Sequence, residues 1–158
     1  MKKGLTFVEL LAAITLSVVL LGVITLYLNP KEMQKKARDV KRLSDLTKIE
    51  RAINEYRMAN GKYPGFSGVT VISTALPPGA TQLQSSSRGW INSDLSAFIE
   101  MMPTDPINDS SYYYSYAPDD TSYELDARLE YYSDKMIGDG GNDPEAYEVG
   151  TNLFLMSP

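Results

Sequence analysis

Cysteine and histidine are both missing from the 158 residues of this chain. Without cysteine no disulfide holds the fold together, and thiols say nothing about redox compartment. Without histidine, imidazole acid–base chemistry and the usual zinc sites are excluded. Charge is missing from residues 10–28, nineteen in succession, a run long enough to cross a hydrocarbon layer of ~30 Å as a helix. Basic residues become scarce late in the chain. Residues 63–158 hold three, Arg88, Arg128 and Lys135, against fourteen Asp and Glu. A segment of that sign repels phosphate, so specific nucleic-acid binding by this part is not expected.

What is present is unevenly placed. Residues 31–62 carry ten Lys and Arg against five Asp and Glu. That basic stem either complements acidic surfaces of neighbouring copies or is a solvated helix face. The apolar share of 43% suits one modest globular domain beside the apolar run. No nucleophile–base pair, phosphate-cradling loop or paired-carboxylate arrangement stands out, so an enzyme is not expected.

The amino terminus has a basic start, Lys2 and Lys3, but its apolar run is too long for a secretory signal and no small-residue cleavage site follows it. Lys2 and Lys3 favour a cytoplasmic leader by the positive-inside bias, while Lys35, Lys36, Arg38, Lys41 and Arg42 beyond the run argue the other way. Glu9 sits at the edge of the run. A carboxylate there costs on the order of 2.5–3.5 kcal/mol by insertion scales unless something neutralises it. A simple anchor has no use for it, whereas a subunit that meets a cationic partner in the membrane does.

Gly4 followed by Thr6, Phe7, Val8, Glu9, Leu10 and Leu11 resembles the start of type IV pilins and of the pseudopilins of type II secretion systems. The resemblance implies a prepilin whose leader, residues 1–4, is removed by a prepilin peptidase between Gly4 and Leu5. Leu5 stands where Phe is commoner, a departure that slows cleavage at most. The new Leu5 amine is then N-methylated and keeps its charge. Glu9, with Thr6, would set subunit stagger by pairing with that amine on a neighbour. Partners implied are further copies of the chain, the assembly platform of the cytoplasmic membrane, and the membrane itself before assembly. The expected place is thus the cytoplasmic membrane, single-pass, and then an extracellular filament used for attachment, motility or uptake. The alternatives are a pseudopilin of a secretion or competence system and an anchored binding module that never polymerises.

The fold expected is α+β, a long amino-terminal helix packed against a small antiparallel sheet as in pilins. The parts are a leader at 1–4, an apolar assembly helix at 5–30 and a head at 31–158. Within the head an amphipathic helix covers 31–60, a loop region with a short helix 61–111, and sheet with carboxyl-terminal loop 112–158. One helix over residues 5–60 would be roughly 84 Å long at ~1.5 Å per residue. Gly22 and Pro30 are its weak points, and the resemblance makes residues 22–30 a candidate for melting on assembly.

Met33, Ala37, Val40, Leu43, Leu46, Ile49, Ile53 and Tyr56 form a helical stripe with charges opposite. Asn60-Gly61 ends it. Asn92 or Ser93 is placed to cap a short helix at 94–101. A short strand is expected at 69–72, a hairpin from runs 112–117 and 123–131, and a further strand at 146–153. In the second run Tyr123, Leu125, Ala127 and Leu129 alternate with Glu124, Asp126, Arg128 and Glu130, which predicts one buried and one wet face.

Asp134, Asp139, Asn142, Asp143, Glu145 and Glu148 crowd an acidic, glycine-bearing loop of hard oxygen ligands, a candidate calcium site at Asp134, Asp139, Asn142 and Asp143. The resemblance adds calcium in the corresponding loop of major pseudopilins, although acidic loops are commonly only solvated. Tyr112, Tyr113, Tyr114 and Tyr116 form either an adhesive patch or sheet core. Asn108-Asp109-Ser110 is a glycosylation sequon.

Overall fold

The computed structural model describes Gly4, residues 6–27 and residues 29–158. Its contacts divide the chain into two units, Met1–Gln34 and Lys35–Pro158. The protein is α+β, with helices at the amino-terminal end and a four-stranded antiparallel sheet after them.

Helix α1 spans Phe7–Tyr27 and carries one charge, Glu9, in its first turn. Helix α2 spans Pro30–Asn60. The division falls at Pro30, the weak point expected between the helices at 5–30 and 31–60. Pro30 has no amide to donate, but the first helical position needs none, and its fixed φ suits a helix start. Asn29 caps that start. Its Oδ1 accepts the Glu32 N–H at 3.4 Å, the N-cap bond, and its Nδ2 donates to Glu32 Oε2 at 3.5 Å. At the other end Gly61 adopts φ 72° and donates its N–H to Arg57 O at 2.8 Å, as the stop signal predicts.

The sheet runs in the order β1 (Val71–Ile72), β2 (Tyr114–Pro118), β3 (Tyr123–Ala127), β4 (Tyr147–Gly150). All neighbours are antiparallel. The expected hairpin is β2–β3, where Asp119 N–H bonds Ser122 O at 2.8 Å across the turn. One sheet face, bearing Tyr114, Tyr116, Tyr123, Leu125 and Ala127, shares a core with Leu46, Ile49, Ala52 and Ile53 of α2. Trp90, Ile91, Leu95 and Met102 of the long β1–β2 connection complete that core. The Trp90 indole N–H donates to Pro103 O at 2.8 Å.

Three expectations fail, and one element was not expected. Residues 94–101 form turns rather than a helix. The Asp94 carboxylate holds the Ser96 N–H at 3.1 Å, and the Leu95 N–H is taken by Ser86 O at 2.7 Å, so local and tertiary bonds displace the helical ladder. A short helix α3, Ser133–Ile137, forms instead in the acidic loop. On α2 the buried face rotates away from the apolar stripe at its start. Asp39, Arg42 and Asp45 are buried, whereas Met33 and Val40 are exposed. Finally, every residue of β3 is buried, Glu124 and Asp126 included.

Candidate functional site

At the amino-terminal edge of α1, Thr6 and Glu9 satisfy each other. Glu9 Oε2 accepts the Thr6 N–H at 2.8 Å and the Thr6 hydroxyl at 2.9 Å, while the Glu9 N–H reaches Thr6 Oγ1 at 3.3 Å. This is a capping box, and it fixes the carboxylate over the first turn. The resemblance assigns both residues to assembly; the cap is a further role, and Thr-x-x-Glu before an apolar run is its signature.

Gly4 is exposed; Leu5, on the other side of the expected cleavage point, lies outside the described residues. The residues following the cap leave their apolar surface uncovered. None of the window Phe7–Ile24, mean hydropathy 2.5, is buried. By length and composition this helix can cross a membrane. Gly22 lies within α1, and a Cβ there would meet nothing.

The basic stem is largely committed inside its own unit. Arg38 forms two bonds of 2.6 Å to Glu130. Arg42, fully buried, bonds Asp39 at 2.8 Å, Glu130 at 2.7 Å and Asp105 at 2.6 and 3.1 Å. Asp39 in turn collects the N–H groups of Glu130, Tyr131 and Tyr132. The two arginines hold the Glu130 carboxyl down to about 2. These charges tie α2 to two distant loops, so the solvated-face reading fails for them.

A second cluster occupies the sheet face away from α2. Asp126 and Glu148 are direct partners across β3 and β4, and Glu124 lies two residues from Asp126 on the same side. All three are buried, and their ligand oxygens lie within 4.8 Å of one another. Glu124 Oε2 accepts the Leu155 and Met156 N–H groups, each at 2.6 Å. Glu148 accepts those of Asn142 at 3.3 Å and Asp143 at 3.1 Å. Thus the carboxyl-terminal tail and the acidic loop close over what alternation predicts as a wet face. Glu124 Oε1, Asp126 Oδ1 and Asn142 Oδ1 are buried with no hydrogen-bond partner. Burial, followed by the charges of Glu124 and Glu148, pushes the Asp126 carboxyl up to about 9. Burial and the neighbouring Glu124 carboxyl push Glu148 up to about 7.

The four residues expected to hold calcium are only partly gathered. Asp139 accepts the Gly141 N–H at 3.0 Å and the Glu148 N–H at 2.8 Å, and Asp143 accepts the Glu145 N–H at 2.8 Å. Asp139 thus holds the Glu148 backbone and the Asn142 and Asp143 N–H groups hold its carboxylate, whereas Asp134 is exposed in the first turn of α3. The three-carboxylate group found among the described residues contains none of the four. Alternation on β3 and a carboxylate on β4 were visible in sequence; the pairing register that joins them was not.

Comparison with protein-family models, curated proteins and solved structures finds no match.

Two remaining sequence candidates turn inward. Tyr114 and Tyr116 are fully buried, which makes them sheet core rather than adhesive surface. The amide of Asn108 is engaged on both sides, accepting from Ser73 Oγ at 2.7 Å and donating to Ser73 O at 3.1 Å. The sequon therefore does not present a free side chain.

Proposed function

We propose that this chain is a type IV pilin-like subunit that inserts as a prepilin, is trimmed after Gly4 and polymerises through its amino-terminal helix. The observation that carries the reading is a carboxylate, Glu9, at the threshold of a helix whose apolar surface is wholly uncovered. Transfer of that surface from lipid into a bundle of like helices exchanges one apolar setting for another, so specificity must come from polar contacts and close packing. A carboxylate that meets the Leu5 amine of a neighbour penalises wrong stagger more strongly than it stabilises the right one, because either charge left alone in a low-dielectric core is expensive. The Thr6 cap supports this role by fixing where Glu9 points before a partner arrives. The head, a helix-backed antiparallel sheet, is compatible with a pilin head.

The reading implies a membrane-anchored precursor, processing by a prepilin peptidase, and delivery to an assembly platform. Mass spectrometry of the mature protein tests the first step: the amino terminus should begin at Leu5. Glu9→Ala should still insert into the membrane yet lose or slow filament growth. An intact Met1, or normal filaments from the variant, would sink the proposal and favour an anchored module.

A further inference from the structure

We infer that the cleft on the outer face of the sheet is a binding site for a neutral saccharide, held by hydroxyl side chains around Tyr113. The inference stands apart from the filament reading, and either can fail without the other.

Strand register builds the floor. Ile72 of β1 is the direct partner of Ser115 on β2, and Ser115 is the partner of Asp126 on β3. Tyr114, Tyr116, Leu125 and Ala127 fill the core side, so by alternation Ser115 and Asp126 face outward. Thr70 and Tyr113 precede this row by two residues and line the same cleft, as do Leu155 and Met156 of the tail. Of the tyrosine run, Tyr113 thus takes the surface while Tyr114 and Tyr116 are core. The cleft holds about 590 Å³, inside the span of roughly 300–1,000 Å³ usual for small-molecule sites.

Its chemistry suits a polyol. Thr70, Ser110, Ser111, Tyr113, Ser115 and Ser157 all line it, and none of their hydroxyls bonds another group of the chain. Other hydroxyls of the head are engaged internally, as at Ser73, Ser93, Tyr114 and Tyr116. Each unengaged hydroxyl both donates and accepts, which is what a sugar hydroxyl requires of its partner. Hydrogen bonds made to water in the empty cleft are remade to such a ligand, so few polar groups lose a partner on binding. The Tyr113 ring, with Ile72, Leu155 and Met156, supplies apolar surface for the C–H face of a sugar ring.

Charge narrows the class further. Arg128, the cation in the lining, is held by Glu145 at 2.8 Å, and Asp126 and Asp143 line the cleft with it. An anionic ligand finds no uncommitted positive group there and meets carboxylates instead. A small cation has no use for six hydroxyl donors, whereas a polyol uses hydroxyls and carboxylates together. One open cleft of this kind binds weakly, and many copies displayed together would hold a glycan-coated surface by avidity.

The test uses the full chain in micelles of a zwitterionic detergent, because sugar-headed detergents would compete. Maltose, lactose, cellobiose and di-N-acetylchitobiose are titrated by saturation-transfer NMR, with a heparin disaccharide as the anionic control. At least one neutral disaccharide should bind saturably, and the heparin disaccharide should not. The double variant Ser110→Ala, Ser111→Ala alters exposed side chains alone, so its melting midpoint should match the parent's. Its saccharide affinity should fall about tenfold. Tyr113→Phe should retain most of the binding, since the ring remains, and Thr81→Ala, outside the cleft, should bind as the parent does. Absence of saturable binding by all four neutral disaccharides would overturn the site. So would preference for the heparin disaccharide, or equal affinity in the parent and the double serine variant.

Discussion

Arg42 and Asp105 are joined by two hydrogen bonds, Nε to Oδ2 at 2.6 Å and Nη2 to Oδ1 at 3.1 Å, and both side chains are fully shielded from water. The pair fastens the middle of α2 to the long β1–β2 connection, with the Tyr112 ring 4.8 Å from the guanidinium carbon. A fork-shaped donor is required here, since Asp39 and Glu130 share the same guanidinium.

Removing that donor should be severe. Arg42→Ala leaves Asp39 and Asp105 buried without their cation, and a loss of about 3–5 kcal/mol is expected in chemical denaturation. Arg42→Lys should recover only part of it, because an ammonium cannot serve all three carboxylates with the same geometry. A variant as stable as the parent would show that the network is ornamental.

Acid should loosen the same region. Glu130 faces Arg38 and Arg42, with Asp39 beside them and Asp105 on the far side of Arg42. Its folded value of about 2 lies below the ordinary 4.5. A depressed carboxylate contributes stability that is fully present above its unfolded value and is lost as pH falls towards the folded one. The contribution is on the order of 2–3 kcal/mol, so the parent should weaken between roughly pH 5 and pH 2. Glu130→Gln should be less stable at neutral pH and show a shallower decline over that window, as read by denaturation at a series of pH values.

Gly61→Ala isolates the end of α2. With φ 72° and open space around the added methyl, the penalty is conformational alone, about 1–2 kcal/mol. Thermal melting should report a modest fall with the sheet contacts intact. A neutral result would mean that the chain relaxes this turn freely.

Val40→Lys separates folding from assembly. Val40 is 57% exposed on α2, so the monomer should keep its stability within about 0.5 kcal/mol. Filament yield in sheared-cell preparations should nonetheless drop, since the proposed polymer leaves few other uses for an apolar side chain facing outward from a charged helix. Undiminished filaments would remove this surface from the assembly contacts.

Local rules read much of this molecule correctly. Apolar composition gave α1 its place, Asn60-Gly61 its partner helix an end, and alternation with a turn signal the β2–β3 hairpin. Sequence failed where distant segments decide the environment. Period analysis assigns charge to solvent, yet Arg42 finds Asp105 and Glu130 at separations of 63 and 88 residues. Glu124 and Asp126 alternate as a wet face should, and only the tail at Leu155 and Met156 and the loop at Asn142 and Asp143 enclose the neighbourhood they share with Glu148. The Thr6–Glu9 relationship is legible in the sequence, because its spacing is a known helix-start signature.

Asn29 and Glu32 give α2 a beginning of its own. Helical order propagates cooperatively from residue to residue, and a self-sufficient start is a firebreak in that propagation. Loss of a turn upstream therefore need not unravel Lys35 onward, where the core residues reside. The apolar helix can lose or gain a turn while the core behind it keeps its packing.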